Sequence, residues 1–186
     1  MSSARGVGLL LIDVINDFEF KNGATMFEHA LPAAHNIHRL IKRVKHADLP
    51  VLYVNDNFGK WQNDFQATIA HCLSPSVRGQ AIARLLQPTD DDYFVLKPKH
   101  SAFYFTTLEL LLKQLEVDTL LMCGFSADVC LLLSAGDAYM REYKLFIPPD
   151  CTASASPEDH QYAVDYMARV FKADTRMSTQ LEFLDT

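Results

Sequence analysis

Short runs of uninterrupted apolar residues recur along this chain, each closing on polar or charged side chains. VGLLLID (7–13) is the first, and PVLYVND (50–56), DYFVLK (92–97), DTLLMCGF (118–125) and KLFIPPD (144–150) follow. A strand with one wet face alternates apolar and polar residues. A strand that is apolar at nearly every position must be buried on both faces, as in a parallel sheet. Helical periodicity fills the intervals. In LPAAHNIHRLIKRVKHA (31–47), Leu31, Ala34, Ile37, Leu40, Ile41 and Val44 fall on one face. SVRGQAIARLLQ (76–87), TTLELLLKQLE (106–116), ADVCLLLSAGDAYMREY (127–143) and SPEDHQYAVDYMARVFKA (156–173) also read as helices. Thr106 or Thr107 suits the N-cap of the second, and Ser156 followed by Pro157 opens the last. Residues 59–76 are polar and mixed, predicting a loop with a short helix. A short strand near Thr175–Met177 is expected to close the sheet. The alternation predicts an α/β fold with a mostly parallel sheet covered by helices on both faces. With no repeat and no linker, the 186 residues are expected to form a single domain, 1–186.

Charge excludes some partners. The net charge is −6 and no Lys/Arg cluster occurs, so neither nucleic acid nor an anionic membrane is an expected partner. No segment approaches the ~18 apolar residues of a membrane span, and the start of the chain lacks a signal-peptide pattern. A soluble, cytoplasmic protein is expected. The four cysteines, Cys72, Cys123, Cys130 and Cys151, match no zinc spacing and should be reduced.

In a parallel α/β sheet, ligands bind beyond the carboxyl ends of the strands. Three reactive groups sit at such ends. Asp13 follows VGLLLI, Lys97 follows DYFVL, and Cys130 lies just past TLLMCGF in the first turn of the next helix. Each also has a plain structural role open to it: Asp13 as a turn cap, Lys97 as a solvated lysine, Cys130 as a core thiol. Together they make a kit for amide hydrolysis through an acyl-thioenzyme. A helix N-terminus and an ammonium favour the thiolate. A carboxylate can take the thiol proton and pass it to the leaving amine. Backbone N–H groups at the strand-to-helix turn can hold the oxyanion.

Three stretches carry a resemblance. LLLIDVINDF, KPKHSAFYFTTLELLL and CGFSADVCLLLSAGDAYMREYKLFIPPDCTAS resemble, in order and spacing, the three motifs of the isochorismatase-like cysteine hydrolase superfamily. Nicotinamidases, N-carbamoylsarcosine amidases and isochorismatases belong to it. The resemblance implies a three-layer α-β-α sandwich around a six-stranded sheet, with Asp13 as acid/base, Lys97 as activating lysine and Cys130 as nucleophile. It also implies a cis peptide at Phe125–Ser126, an oxyanion hole from the amides of Ser126 and Cys130, and a homodimer or homotetramer. The family pattern selects Lys97 over Lys99, because the lysine lies four residues before the serine of Ser-Ala-Phe, here Ser101.

The chain also departs from its relatives. Nicotinamidases hold a metal with Asp-x-His after the second strand. Here Asp56 is present but Phe58 replaces the histidine, and His71 is distant, so neither a metal nor another cofactor is expected. Asp56 reads either as a cap or as support for the site. Phe18 and Phe103, from the first two motifs, are either pocket lining or core. Trp61, the only tryptophan, could line the pocket or an interface. Asn16 and Asp17 should stabilise the turn after the first strand, Asp150 should hold loops at the sheet edge, and Cys123 should be core. The leading expectation is a metal-independent cysteine amidase acting on a small carboxamide or ureide. A vinyl-ether hydrolase using Asp13 and Lys97, and a non-catalytic binding or scaffold protein, are the alternatives.

Overall fold

The computed structural model of the chain describes residues 6–57 and 64–184. Its elements alternate from the start: β1 (Val7–Ile12), α1 (Gly23–His46), β2 (Val51–Asp56), α2 (Phe65–Cys72), α3 (Gln80–Leu85), β3 (Tyr93–Lys97), α4 (Leu108–Gln114), β4 (Thr119–Phe125), α5 (Leu132–Met140), β5 (Lys144–Phe146), β6 (Thr152–Ala153) and α6 (Pro157–Val170). The strands form one parallel six-stranded sheet in the order β3-β2-β1-β4-β5, with β6 also paired to β4.

The strands are apolar throughout because alternate residues feed two different cores. Leu9 and Leu11 of β1, Val51 and Tyr53 of β2, and Leu121 and Cys123 of β4 pack on one side, with Ala30, Ala34, Ile37, Leu40 and Val44 of α1 and Ile82 of α3. Leu10 and Ile12, Leu52 and Val54, and Leu120 and Met122 pack on the other. They meet Leu108 and Leu112 of α4, Ala135 and Ala138 of α5, and Ala163 and Met167 of α6. The result is the expected three-layer sandwich. The order in which strands are added switches from one side of β1 to the other between β3 and β4, so β1 and β4 flank the topological switch point where α/β folds bind ligands.

Several boundaries differ from the sequence reading. Helix α1 begins at Gly23, not Leu31, and carries Pro32 in its interior. Its buried face, Gly23, Met26, Ala30, Ala33, Ala34 and Ile37, runs through the proline. Burial of that face outweighs the ~3 kcal/mol a proline costs in a helix. Helix α3 starts only at Gln80. Strand β5 stops at Phe146 because Pro148 and Pro149 have no N–H for a ladder; a single 3₁₀ turn follows, Pro149–Cys151. The strand expected near Thr175–Met177 is absent. Asp174 alone bridges Phe146, donating to Leu145 O and accepting from Ile147 N at 2.8 Å each. The sixth strand is Thr152–Ala153 instead. Ser156 caps α6 as expected, accepting the Asp159 N–H at 3.2 Å. Before α4, Thr106 Oγ1 takes the Leu108 N–H at 3.3 Å, while Thr107 makes no side-chain cap bond.

Candidate active site

Register brings the reactive strand ends together. Ile12 pairs with Gly124 and Val54, and Asp56 with Lys97, so Asp13, Asp56, Lys97 and Phe125 share the carboxyl edge of the sheet. Gly124 of β4 lies against the Ile12 backbone of β1. It has φ +126°, and a Cβ there would lie 2.0 Å from Ile12 O. Asp13 sits at φ 52°, a left-handed conformation that aspartate tolerates better than most residues. The Phe125–Ser126 peptide is cis.

After Ser126 the chain enters a π-turn, Ala127–Leu131, before α5. Such single π-turns concentrate at functional sites. Here the turn is closed by Leu131 N–H donating to Ser126 O at 3.1 Å and by Ser134 Oγ donating to Cys130 O at 2.6 Å. Asp128 N–H donates to Ser154 Oγ at 3.3 Å. Cys130 is thus presented from a turn tied to both α5 and the β6 edge.

Lys97 is the centre of the site. Its side chain is completely buried, and Nζ lies 2.8 Å from Asp13 Oδ2 and 3.7 Å from Asp56 Oδ2. It also donates to Lys99 O at 3.2 Å and to Cys130 Sγ at 3.7 Å. The second Asp13 oxygen accepts the Asp56 N–H at 2.7 Å. Burial pulls the Lys97 ammonium down, but Asp13, Cys130 and Asp56 outweigh it and hold it above its ordinary value. For Asp13, burial dominates and raises the carboxyl, with Lys97 opposing. The Cys130 thiol is pushed up to about 12, by burial first and by Asp13 second, while Lys97 pulls it down. The sequence reading expected a thiolate favoured by the helix start and the ammonium. Burial and Asp13 oppose that charge more than Lys97 favours it.

Asp13, Cys130 and Ser126 line a cavity of about 470 Å³ together with Phe18, Phe20, Met26, Phe125, Val129, Asp56, Asp128 and His100. Phe18 is therefore pocket lining as well as core; its ring packs 6.1 Å from that of Phe125. Phe103 is not. The Ala102 N–H bonds Ser134 Oγ at 2.9 Å, which turns the next residue into the α4–α6 core. There the Phe103 ring lies 6.0 Å from Tyr143 and 5.0 Å beneath the Arg141 guanidinium. Trp61 and Phe58 lie outside the described residues. Lys99 is exposed and borders a separate hollow beside α5 and α6.

The supporting residues fall as expected. Asn16 Oδ1 and Asp17 Oδ1 accept the N–H groups of Phe18 and Glu19 at 2.8 and 2.9 Å. Asp150 accepts from Ser178 N and Oγ at 2.8 and 2.6 Å. Cys123 is fully buried and all four cysteines are free. Asp56 proves to support the site. The residues do not fit a nicotinamidase-type metal: Asp56 is turned to Lys97, and His71 Nε2 lies 3.0 Å from Asp17. Sequence reasoning missed His100, whose Nδ1 lies 3.7 Å from Cys130 Sγ, and Asp128. The available signal was position alone: His100 is three residues past a strand end, and Asp128 stands in the turn before the cysteine.

Residues 7–178 match the Isochorismatase domain. The chain belongs to the isochorismatase family. An uncharacterised isochorismatase family protein of Bacillus subtilis, YaaI, is 39% identical over 173 residues, covering 93% of this chain and 94% of that protein. A probable inactive nicotinamidase of Arabidopsis thaliana is 26% identical over 166 residues, covering 84% and 85%. Among solved structures, N-carbamoylsarcosine amidase from Thermoplasma acidophilum superposes with a TM-score of 0.74 at 28% identity, covering 95% of this chain and 98% of that one. The family's fold and its hydrolase character therefore extend to this chain.

Proposed function

We propose that this isochorismatase-family hydrolase is a cysteine amidase cleaving a C–N bond in a small, uncharged carboxamide or ureide. The observation that carries the reading is the triangle in which buried Lys97 contacts both Asp13 and Cys130, two residues that line the cavity. In the proposed reaction, Cys130 Sγ attacks the carbonyl carbon as its proton passes to Asp13. The oxyanion is held by the amides of Ser126 and Cys130. The C–N bond breaks as Asp13 returns the proton to the leaving nitrogen. Water then attacks the thioester, giving its proton to Asp13, and the thiol is restored. Lys97 keeps Asp13 oriented and charged in a buried setting. Nucleophile, acid/base and cation are all side chains, so the scheme uses no metal.

The cavity wall favours an uncharged amide over an anionic vinyl ether. Three carboxylates, Asp13, Asp56 and Asp128, line it, against Lys21, and Lys97 behind the wall is already engaged by Asp13. The apolar walls, Phe18, Phe125, Met26 and Val129, suit a compact non-polar substituent.

The test is Cys130→Ala against a panel of small carboxamides and ureides, with release of ammonia or amine as the readout. Activity should fall to background, while Cys123→Ala keeps it. Turnover that survives Cys130→Ala would sink the amidase and move the vinyl-ether reading ahead.

A further inference from the structure

We propose that His100 is a further catalytic residue: its ring donates a hydrogen bond to the Cys130 sulfur and stabilises the thiolate expelled when the acyl-thioenzyme is hydrolysed. This rests on the cysteine-amidase reading above and adds to it a group outside the triangle.

Lys97 has no hydrogen bond to spare. An ammonium has three N–H bonds to give, and three acceptors take them: Asp13 Oδ2 at 2.8 Å, Lys99 O at 3.2 Å and Cys130 Sγ at 3.7 Å, while Asp56 Oδ2, also at 3.7 Å, is an ion-pair partner only. One N–H is thus all that the lysine gives the sulfur. The Asp13 and Asp56 carboxylates both oppose negative charge on it, and burial opposes it further. His100 Nδ1 stands 3.7 Å from the same sulfur, within the range of an N–H···S contact.

The position of His100 is built. Its predecessor, Lys99, is held by its carbonyl on Lys97. Its successor, Ser101, donates to the Asp137 carboxylate of α5. The next amide, Ala102 N–H, is bound to Ser134 Oγ, and that same hydroxyl donates to Cys130 O. The loop carrying the imidazole and the turn carrying the thiol are thus fastened to one helix. The backbone on both sides of the exposed His100 is thus fixed, which limits the reorganisation needed when charge develops in front of its ring.

The step balances without a further reactant. Water oxygen bonds the thioester carbon and gives its proton to Asp13. The C–S bond breaks, and its electron pair stays on sulfur. His100 keeps its own proton and donates a hydrogen bond to the anion until Asp13 returns the proton to sulfur. The product acid leaves.

Alkylation by iodoacetamide tests this without a substrate, because it reads the thiolate directly. The rate at Cys130 is followed by mass spectrometry at one fixed pH in the wild type, His100→Ala, His100→Phe and His100→Gln. Loss of one hydrogen bond to a charged sulfur should slow Cys130 about tenfold in the Ala and Phe variants. His100→Gln, whose amide keeps an N–H, should regain most of the rate, and Cys72, Cys123 and Cys151 should not change. An unchanged rate at Cys130 overturns the proposal. So does a faster one in His100→Ala, which would make the imidazole a mere cover. The amidase reading is judged separately, by turnover with Cys130→Ala. With any carboxamide the wild type hydrolyses, His100→Ala should accumulate the acyl-thioenzyme as added mass on Cys130. A slower enzyme with no such accumulation would place the effect in acylation and overturn the role in thiolate departure.

Discussion

Asp13 has to be an anion to accept a proton, yet it sits where burial penalises that anion. Its carboxyl is raised above the ordinary 3.8 by burial, with Lys97 opposing. The sign for activity follows directly. A raised carboxyl is protonated, and so inactive as a base, at pH values where an ordinary aspartate is already ionised. The acid limb of kcat/KM should therefore lie above pH 3.8 and move further up in Lys97→Met, measured with any amide the enzyme accepts. A limb that stays in place in Lys97→Met would mean that the lysine does not set the charge of Asp13. On the proposed mechanism Cys130 should add no neutral-pH limb of its own, since its thiol is pushed up to about 12, by burial first.

The elements matter through a few hydroxyls that join them. Ser134 on α5 is fully buried and works in two directions. It accepts the Ala102 N–H of the loop after β3 and donates to Cys130 O in the π-turn after β4. Ser134→Ala leaves a buried N–H unsatisfied, which costs about 1–3 kcal/mol. Urea denaturation should show that loss, and turnover should fall with it because the loop and the turn lose their common anchor. Full activity in Ser134→Ala would show that the π-turn holds its own shape. Ser156, which caps α6 far from this link, is the contrast: its removal should cost about 1 kcal/mol with kcat unchanged.

At the scale of the whole molecule, Asp13 and Lys97 form an ion pair buried at the carboxyl edge of the sheet. Lys97 is completely buried and held above its ordinary 10.5: burial lowers it, but Asp13, Cys130 and Asp56 together raise it more. A group raised in the fold stabilises it at all pH values below its unfolded value. That contribution is lost only as the pH climbs through the folded value, above 10.5. Removing one partner strands the other. Asp13→Asn should destabilise by about 3–5 kcal/mol, whereas Asp13→Leu combined with Lys97→Met should recover most of it and stay inactive. Thermal melts of the three proteins decide the matter. A double variant no more stable than Asp13→Asn would mean that the pair organises the sheet edge beyond its charge. No helix among the described residues is long and apolar enough to cross a membrane.

The layered fold was legible because its cause is local. A strand buried on both faces must be apolar at successive positions, and β1, β2 and β4 announce this in a few residues each. Asp13, Lys97 and Cys130 were legible for a related reason: strand ends in a parallel sheet share one edge, so position along the chain implies position in space. Four features were decided only by tertiary structure. Helix α1 runs through Pro32 because a sheet lies beneath it. The sheet takes its last strand from Thr152–Ala153, because two prolines end β5 and the chain re-enters beside β4. Phe103 leaves the cavity because Ala102 is bound to Ser134. The Cys130 thiol is pushed up, because burial and a neighbouring carboxylate outweigh the lysine. Periodicity and residue type are properties of the chain, so they could be read from it. Burial, and the choice among competing partners, belong to the packed molecule.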